Sequence, residues 1–166
     1  LRKRQVPFHL FICGEGVLSQ SIQNDIYSRK LVENISLLGS LDFASEWLPF
    51  VKENIDLFVC CHPQGDPSCT YLEVMSCGVP IVGYDNEAFQ GIVAKSRSGW
   101  LSPINSPSLI AEQVKYLSRD REAIISASYK ARYFSCFHSF ENTYKNRMEH
   151  MVSLYESHKL RLNDIP

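Results

Sequence analysis

Apolar runs of strand length alternate along this chain with segments whose apolar residues recur at helical spacing. That alternation points to a parallel sheet covered by helices on both faces, an α/β Rossmann-like architecture. Val6 to Cys13 reads as a buried strand ending in the turn Gly14-Glu15-Gly16, and Val17, Leu18, Ile22 and Ile26 then recur at roughly helical spacing. Ile35 to Leu38, stopped by Gly39, is the second strand. Ser45 is placed to cap a helix running to about Glu53 with Trp47, Leu48 and Val51, and Ile55 to Cys61 follows as a continuous apolar strand. A loop from His62 to Pro67 leads into a helix beginning near Ser68. Gly78 is suited to ending that helix in a left-handed conformation, and Pro80 prevents its continuation. Ile81 to Tyr84 and Trp100-Leu101 are further strands. Ser106-Pro107 is a cap with proline at the first helical position, opening a helix with Leu109, Ile110, Val114 and Leu117 on one face. Two more helices are expected, over Arg121 to Tyr133 and over Phe140 to His158, the second carrying Tyr144, Met148, Met151, Val152 and Tyr155 as a stripe.

With 166 residues, 45% of them hydrophobic, the chain can bury one core and not two. Its 17 basic residues nearly balance 18 acidic ones, so no electrostatic footprint for nucleic acid is present. The cysteines Cys13, Cys60, Cys61, Cys69, Cys77 and Cys136 form no CxxC pair, which suits buried thiols in a reducing compartment. No signal-length apolar segment follows the basic start, so the chain reads as a soluble cytoplasmic protein. It opens one short step before a strand, which suggests preceding sequence.

The Gly14-Glu15-Gly16 turn resembles part of a dinucleotide fingerprint, but Ser19 stands where the third glycine belongs and no acidic ribose anchor follows at the right spacing. A tight strand-to-helix turn at the ligand-binding edge of the sheet explains it better. Cys60-Cys61-His62 shares only residue types with a metal site: neighbouring strand residues point to opposite faces, and no second ligand pair stands at zinc spacing. None of the other histidines falls in a catalytic motif. The informative stretch runs from Pro63 to Tyr84. There the unpaired N–H groups of Ser68, Cys69 and Thr70 would face a crevice above the sheet at the positive end of their helix, which is an anion site. Glu73, embedded in Tyr-Leu-Glu-Val-Met, is able to accept hydrogen bonds from the vicinal hydroxyls of a ribose.

The run Leu72-Glu73-Val74-Met75-Ser76-Cys77-Gly78-Val79-Pro80-Ile81-Val82-Gly83 resembles the second half of the signature of the group 1 (family 4) retaining glycosyltransferases, in the C-terminal domain of their GT-B fold. Phe8 to Gly16, Leu37-Leu38-Gly39, Asp56 to Val59 and Ser98 to Leu101 extend the likeness in the family's order. The resemblance implies that Glu73 binds the ribose of a nucleotide diphosphate-sugar donor and that amides from Ser68 to Thr70 meet its diphosphate or sugar. It also places Gly14, Gly16, Gly39, Ser40 and Leu41 near the phosphates and the base. Transfer in this family is metal-free and needs no cofactor, with charge on the departing phosphate stabilised by positive groups and helix dipoles.

Two departures qualify the likeness. The family's first glutamate would fall at Gly65, with Asp66 beside it, so either Asp66 takes that catalytic position or the donor-sugar contact is lost. Asp85-Asn86-Glu87 and the region of Gln90-Gly91 replace the family's glycine pair and glutamate. The family's opening strand and helix, with their phosphate-binding Arg and Lys, are not present, and Arg2, Lys3 and Arg4 are not placed to inherit those roles.

The expected organisation is therefore the incomplete C-terminal half of a GT-B fold. Residues 1–140 form a donor-binding domain without its first strand and helix, residues 141–158 a helix crossing toward an N-terminal acceptor-binding domain, and residues 159–166 a tail. The expected function is retaining sugar transfer in cell-surface polysaccharide or glycolipid synthesis, by the full-length protein and not by this portion alone. Peripheral membrane association of the full-length protein is compatible with that role. A GT-B nucleotide-sugar epimerase and a non-catalytic nucleotide-binding module remain alternatives.

Overall fold

In the computed structural model, which describes residues 1–65 and 69–163, strands and helices alternate along the chain. They are β1 (Leu10–Cys13), α1 (Ser19–Ser28), β2 (Ile35–Gly39), α2 (Leu48–Asn54), β3 (Phe58–Cys60), α3 (Cys69–Ser76), β4 (Ile81–Tyr84), α4 (Glu87–Ser96), β5 (Gly99–Ser102), α5 (Pro107–Leu117), α6 (Arg121–Cys136) and α7 (Phe140–Asn163). Every strand pairing is parallel. Hydrogen bonding divides the strands into a pair, β1-β2, and a triplet in the order β3-β4-β5.

Side chains of β4 alternate between the two faces, as a strand requires. Ile81 joins one cluster with Val51 of α2, Tyr71, Val74 and Met75 of α3, Phe89 of α4 and Ala131 of α6. Val82 and Tyr84 join the opposite cluster with Ile110 of α5, against which Leu57, Trp100 and Val114 pack. All four β4 residues are buried. This is the helix-on-both-faces arrangement that the alternating pattern implies.

Several boundaries differ from the sequence expectation. The first strand begins at Leu10 and not at Val6, because pairing with the neighbouring strand starts where the Leu10 N–H donates to the Asn34 carbonyl at 2.8 Å. The cap ahead of α2 is Asp42, whose side chain accepts from the Ser45 N–H. A π-helical turn from Phe43 to Trp47 then feeds α2, and Pro49 is tolerated in the first turn, where its missing N–H is not needed. Ser106 precedes α5 but makes no side-chain cap bond, and Leu109 stays 46% exposed while Ile110 and Leu117 are buried.

The helix α4 had not been expected at all. Asn86 caps it by accepting from the Phe89 N–H, and Phe89 is fully buried. Gly78 ends α3 at φ +79°, as its position suggested. The cysteines do not form the expected buried set: only Cys60 is buried, Cys77 is intermediate and the other four are exposed. Among the described residues nothing covers the apolar stripe of α7, whose Tyr144, Met148, Met151, Val152 and Tyr155 are each at least half exposed. Among the described residues no helix is long and apolar enough to cross a membrane.

Candidate functional site

The carboxyl ends of the parallel strands form the edge at which open α/β sheets bind ligands. On one side, β1 leaves Cys13 through Gly14 at φ +119°, a conformation that side chains other than hydrogen rarely allow. The Gly14 N–H donates to the Gly39 carbonyl at 2.7 Å, which ties this turn to the end of β2. Gly39 sits at φ +66°, and a Cβ there would lie 3.1 Å from Glu15 Oε1. The Gly16 N–H donates to Ser19 Oγ at 3.0 Å and so fixes the entry to α1. Gly14 and Gly39 are thus brought together, with Gly16 further along the first turn and Ser40 and Leu41 following Gly39 in the chain; Gly14, Gly16 and Ser40 are exposed.

The other rim follows β3. Cys61, His62 and Gly65 are exposed, and α3 begins at Cys69, so Cys69 and Thr70 occupy its first turn, where backbone N–H groups lack intrahelical acceptors. Asp66 and Ser68 lie outside the described residues. Glu73 is half-buried, on a helix whose Tyr71, Val74 and Met75 are buried in the core. Among the described residues no hydrogen bond or ion pair reaches its carboxylate, while its backbone carbonyl accepts from Ser76 Oγ at 2.6 Å. A partly desolvated carboxylate in that condition is suited to accept from a ligand's hydroxyls.

Two residues beyond the expected set shape this rim. Asn86, 1% exposed, donates from Nδ2 to the His62 carbonyl at 2.9 Å and to the Tyr71 hydroxyl at 3.4 Å, so it binds the β3 loop to the start of α4. The Tyr71 hydroxyl lies 3.1 Å from Cys60 Sγ. Glu87 stands against Gly65: a Cβ at Gly65 would lie 3.2 Å from the Glu87 Cβ and 3.6 Å from its Oε2. The space beside Gly65 thus holds a carboxylate delivered from the next helix. The sequence signal for Asn86 was a capping residue before Ala88, Phe89, Ile92 and Val93. No pattern along the chain marks the approach of Glu87 to Gly65.

Partial desolvation pushes the Cys13 and Cys61 thiols, both of which still reach solvent, up from their ordinary value, and for Cys61 the neighbouring Cys60 adds to the effect. These thiols stay protonated at neutral pH and are poor nucleophiles or metal ligands. Among the described residues no three His, Cys, Asp or Glu side chains converge as metal ligands. The N-terminal arginines are engaged elsewhere: Arg2 donates to the Arg29 and Lys30 carbonyls, and Arg4 pairs with Glu112 at 2.6 Å.

The sequence profile of the family described as glycosyl transferases group 1 matches residues 1–133. The chain belongs to this family. It is 24% identical over 154 residues to the N-acetyl-alpha-D-glucosaminyl L-malate synthase of Bacillus anthracis, covering 92% of this chain and 37% of that protein. Its fold superposes on Anabaena HepE in complex with UDP-glucose with a TM-score of 0.74 at 17% identity, covering 91% of this chain and 43% of that one. The sucrose-phosphate synthase of Thermosynechococcus elongatus gives a TM-score of 0.74 at 16% identity over 93% of this chain and 41% of that chain. At these identities the structural likeness establishes the fold, which is the Rossmann-like C-terminal half of GT-B. The chain spans about two fifths of the length of these relatives.

Proposed function

We propose that this chain is the donor-binding half of a retaining glycosyltransferase that acts in the synthesis of cell-surface polysaccharide or glycolipid. Its donor is a nucleotide diphosphate-sugar, and an acceptor-binding domain from the rest of the polypeptide faces the crevice. The observation that carries the reading is Glu73: a half-buried carboxylate with no partner among the described residues, on the helix that opens at the ligand edge of the sheet. Family membership and the UDP-glucose held by HepE support it.

In this reading the ribose 2′- and 3′-hydroxyls donate to the Glu73 carboxylate. The diphosphate lies between the turn at Gly14 to Gly16 and the first-turn N–H groups of Cys69 and Thr70. A helix end contributes about 0.3–1 kcal/mol toward an anion, so several such contacts act together. In the transfer step the bond from the anomeric carbon to the phosphate oxygen breaks, the acceptor oxygen forms the new bond, and its proton passes to the departing phosphate. The preorganised N–H groups stabilise the charge that develops there. Glu87, at Gly65, and Asp66 beside it supply the acidic contact to the donor sugar that the family's first glutamate would make.

The helix α7 crosses to the acceptor domain and covers its apolar stripe there. The glycine at position 65 also favours a second reading, a nucleotide-binding module without turnover. Product analysis of the complete polypeptide with UDP-, GDP- and ADP-sugars separates the readings. Transfer with the donor's anomeric configuration kept supports the proposal, an altered donor sugar indicates an epimerase, and binding without turnover indicates the module.

A further inference from the structure

The helix α6 buries Ile124, Ala127, Ala131 and Ser135 and turns Tyr129, Tyr133 and Phe137 outward, 74%, 70% and 56% exposed. At four-residue intervals the three rings form one stripe along the helix, and Tyr133 meets Phe137 edge-on at 4.9 Å. Against the end of α4 the stripe borders a shallow cavity of about 340 Å³, which Lys95, Lys130 and Phe134 also line. The helix α4 starts at Glu87, just after the carboxyl end of β4, so Lys95 and Ser96 at its far end put this cavity at the opposite end of the sheet from the candidate donor site.

Cations flank the rings on both sides. Successive helical residues turn by about 100°, which sets Lys130 on one flank of the stripe, with Lys95 across the cavity from it, and Arg132 on the other. All three are exposed, and among the described residues no carboxylate pairs with any of them. Residues 123–140 contain no Asp or Glu; the nearest along the chain, Glu122 and Glu141, lie beyond the two ends of the stripe. On a chain of net charge -1 this is a local excess of positive charge around rings left in water, and an exposed apolar patch with a polar margin marks an interaction surface.

We infer that the outer face of α6, with the end of α4, docks on a membrane surface that carries anionic lipid. Charge complementarity selects the occupant: it must offer negative charge on both flanks of an apolar stripe and take up the rings between them. A lipid surface does both, because tyrosine and phenylalanine rings settle at headgroup level with the tyrosine hydroxyls still wet, while lysine and arginine reach the lipid phosphates. An acidic peptide laid in the cavity would meet Lys95 and Lys130 but leave Arg132 and the outer faces of Tyr129 and Tyr133 uncovered. The inference rests on this face alone and not on the donor site, which lies at the other end of the sheet and stays unobstructed when the face is covered.

Co-sedimentation of the complete polypeptide with vesicles of phosphatidylcholine, alone or with phosphatidylglycerol added, tests the inference. Binding should require phosphatidylglycerol. The triple variant Lys95→Gln, Lys130→Gln, Arg132→Gln should bind the anionic vesicles on the order of 100-fold more weakly. The charge-matched variant Lys3→Gln, Arg29→Gln, Lys30→Gln should bind like the parent, and both should keep the parent's melting temperature because all six side chains are exposed. In a separate Tyr133→Trp variant, the emission added to the parent's should shift to the blue on anionic vesicles and be quenched by brominated acyl chains. No binding to either vesicle, equal binding to both, parental binding by the first triple variant or an equal loss in the two triple variants would overturn the inference. So would added emission that brominated lipid leaves unquenched, which would show the rings outside the lipid.

Discussion

Replacing Asn86 with aspartate separates two roles of one buried side chain. The Asn86 Oδ1 caps α4 by accepting from the Phe89 N–H at 2.8 Å, and Nδ2 donates to the His62 carbonyl at 2.9 Å. Asn86→Asp keeps the cap acceptor and loses the donor, so a carboxylate oxygen faces a carbonyl oxygen. An unpaired buried acceptor costs about 1–3 kcal/mol. Burial beside that carbonyl raises the new carboxyl above the ordinary value of about 3.9. The folded state then binds the proton more tightly than the unfolded chain. Stability therefore falls as pH rises from the unfolded value to the raised folded one, by about 1.4 kcal/mol per unit of that interval. Below it, the protonated carboxyl donates to His62 and the variant approaches the parent. Asn86→Ala loses both bonds and should cost about 2–4 kcal/mol with little dependence on pH. Urea unfolding followed by circular dichroism at about pH 5 and about pH 8 measures both. An Asn86→Asp loss that is equal at the two pH values, or an Asn86→Ala loss below about 0.5 kcal/mol, would refute the reasoning.

The β1 turn offers a contrast between two glycines. Gly14→Ala meets no atom within 4 Å but is forced to φ +119°, so backbone strain alone should cost about 1–3 kcal/mol. Gly16→Ala, in open space at an ordinary φ, should stay within about 0.5 kcal/mol, and equal losses in urea unfolding would contradict the assigned turn. Asp42 gives an acid signature. The Ser45 hydroxyl and then its N–H, at 2.5 and 2.8 Å, hold the Asp42 carboxyl below its usual range. Its contribution is complete above the unfolded value near 3.9 and is lost as pH falls through the depressed one. Asp42→Asn keeps the acceptor, so its melting temperature should fall less than the parent's on acidification below about pH 4; identical acid losses would remove Asp42 from this role.

The strand and helix order was legible because each element pairs a hydrophobic period with a local stop signal. Gly78 and Pro80 close α3, and Ile81 to Tyr84 is apolar throughout because it is buried on both faces. The helix α4 was obscured because its positions Phe89, Ile92 and Val93 lie among Gln90 and Gly91 in a stretch that family likeness presents as loop chemistry; Asn86 alone carries the start signal. The short β1 illustrates a different limit. Val6, Pro7 and Phe8 have strand composition, but a strand exists only where a neighbour accepts its hydrogen bonds, and that information lies across the sheet. The turns at Gly14 and Gly39 and the helix start ahead of Thr70 were readable, since turns and helix starts have local signatures. The approach of Glu87 to Gly65 depends on how α4 packs against the β3 loop, and no spacing along the chain encodes it.

Titration calorimetry of UDP, GDP and ADP, and of their sugar conjugates, into the complete polypeptide and its Glu73→Ala variant puts the donor site to the test. Losing hydrogen bonds to a charged acceptor should cost roughly 1.5–3 kcal/mol, a tenfold or greater weakening. One nucleotide bound by the parent and weakened to that extent by Glu73→Ala is the expected result. A nucleotide bound equally well by both proteins would move the ribose contact away from Glu73, and no binding by the parent would contradict a nucleotide-sugar site altogether.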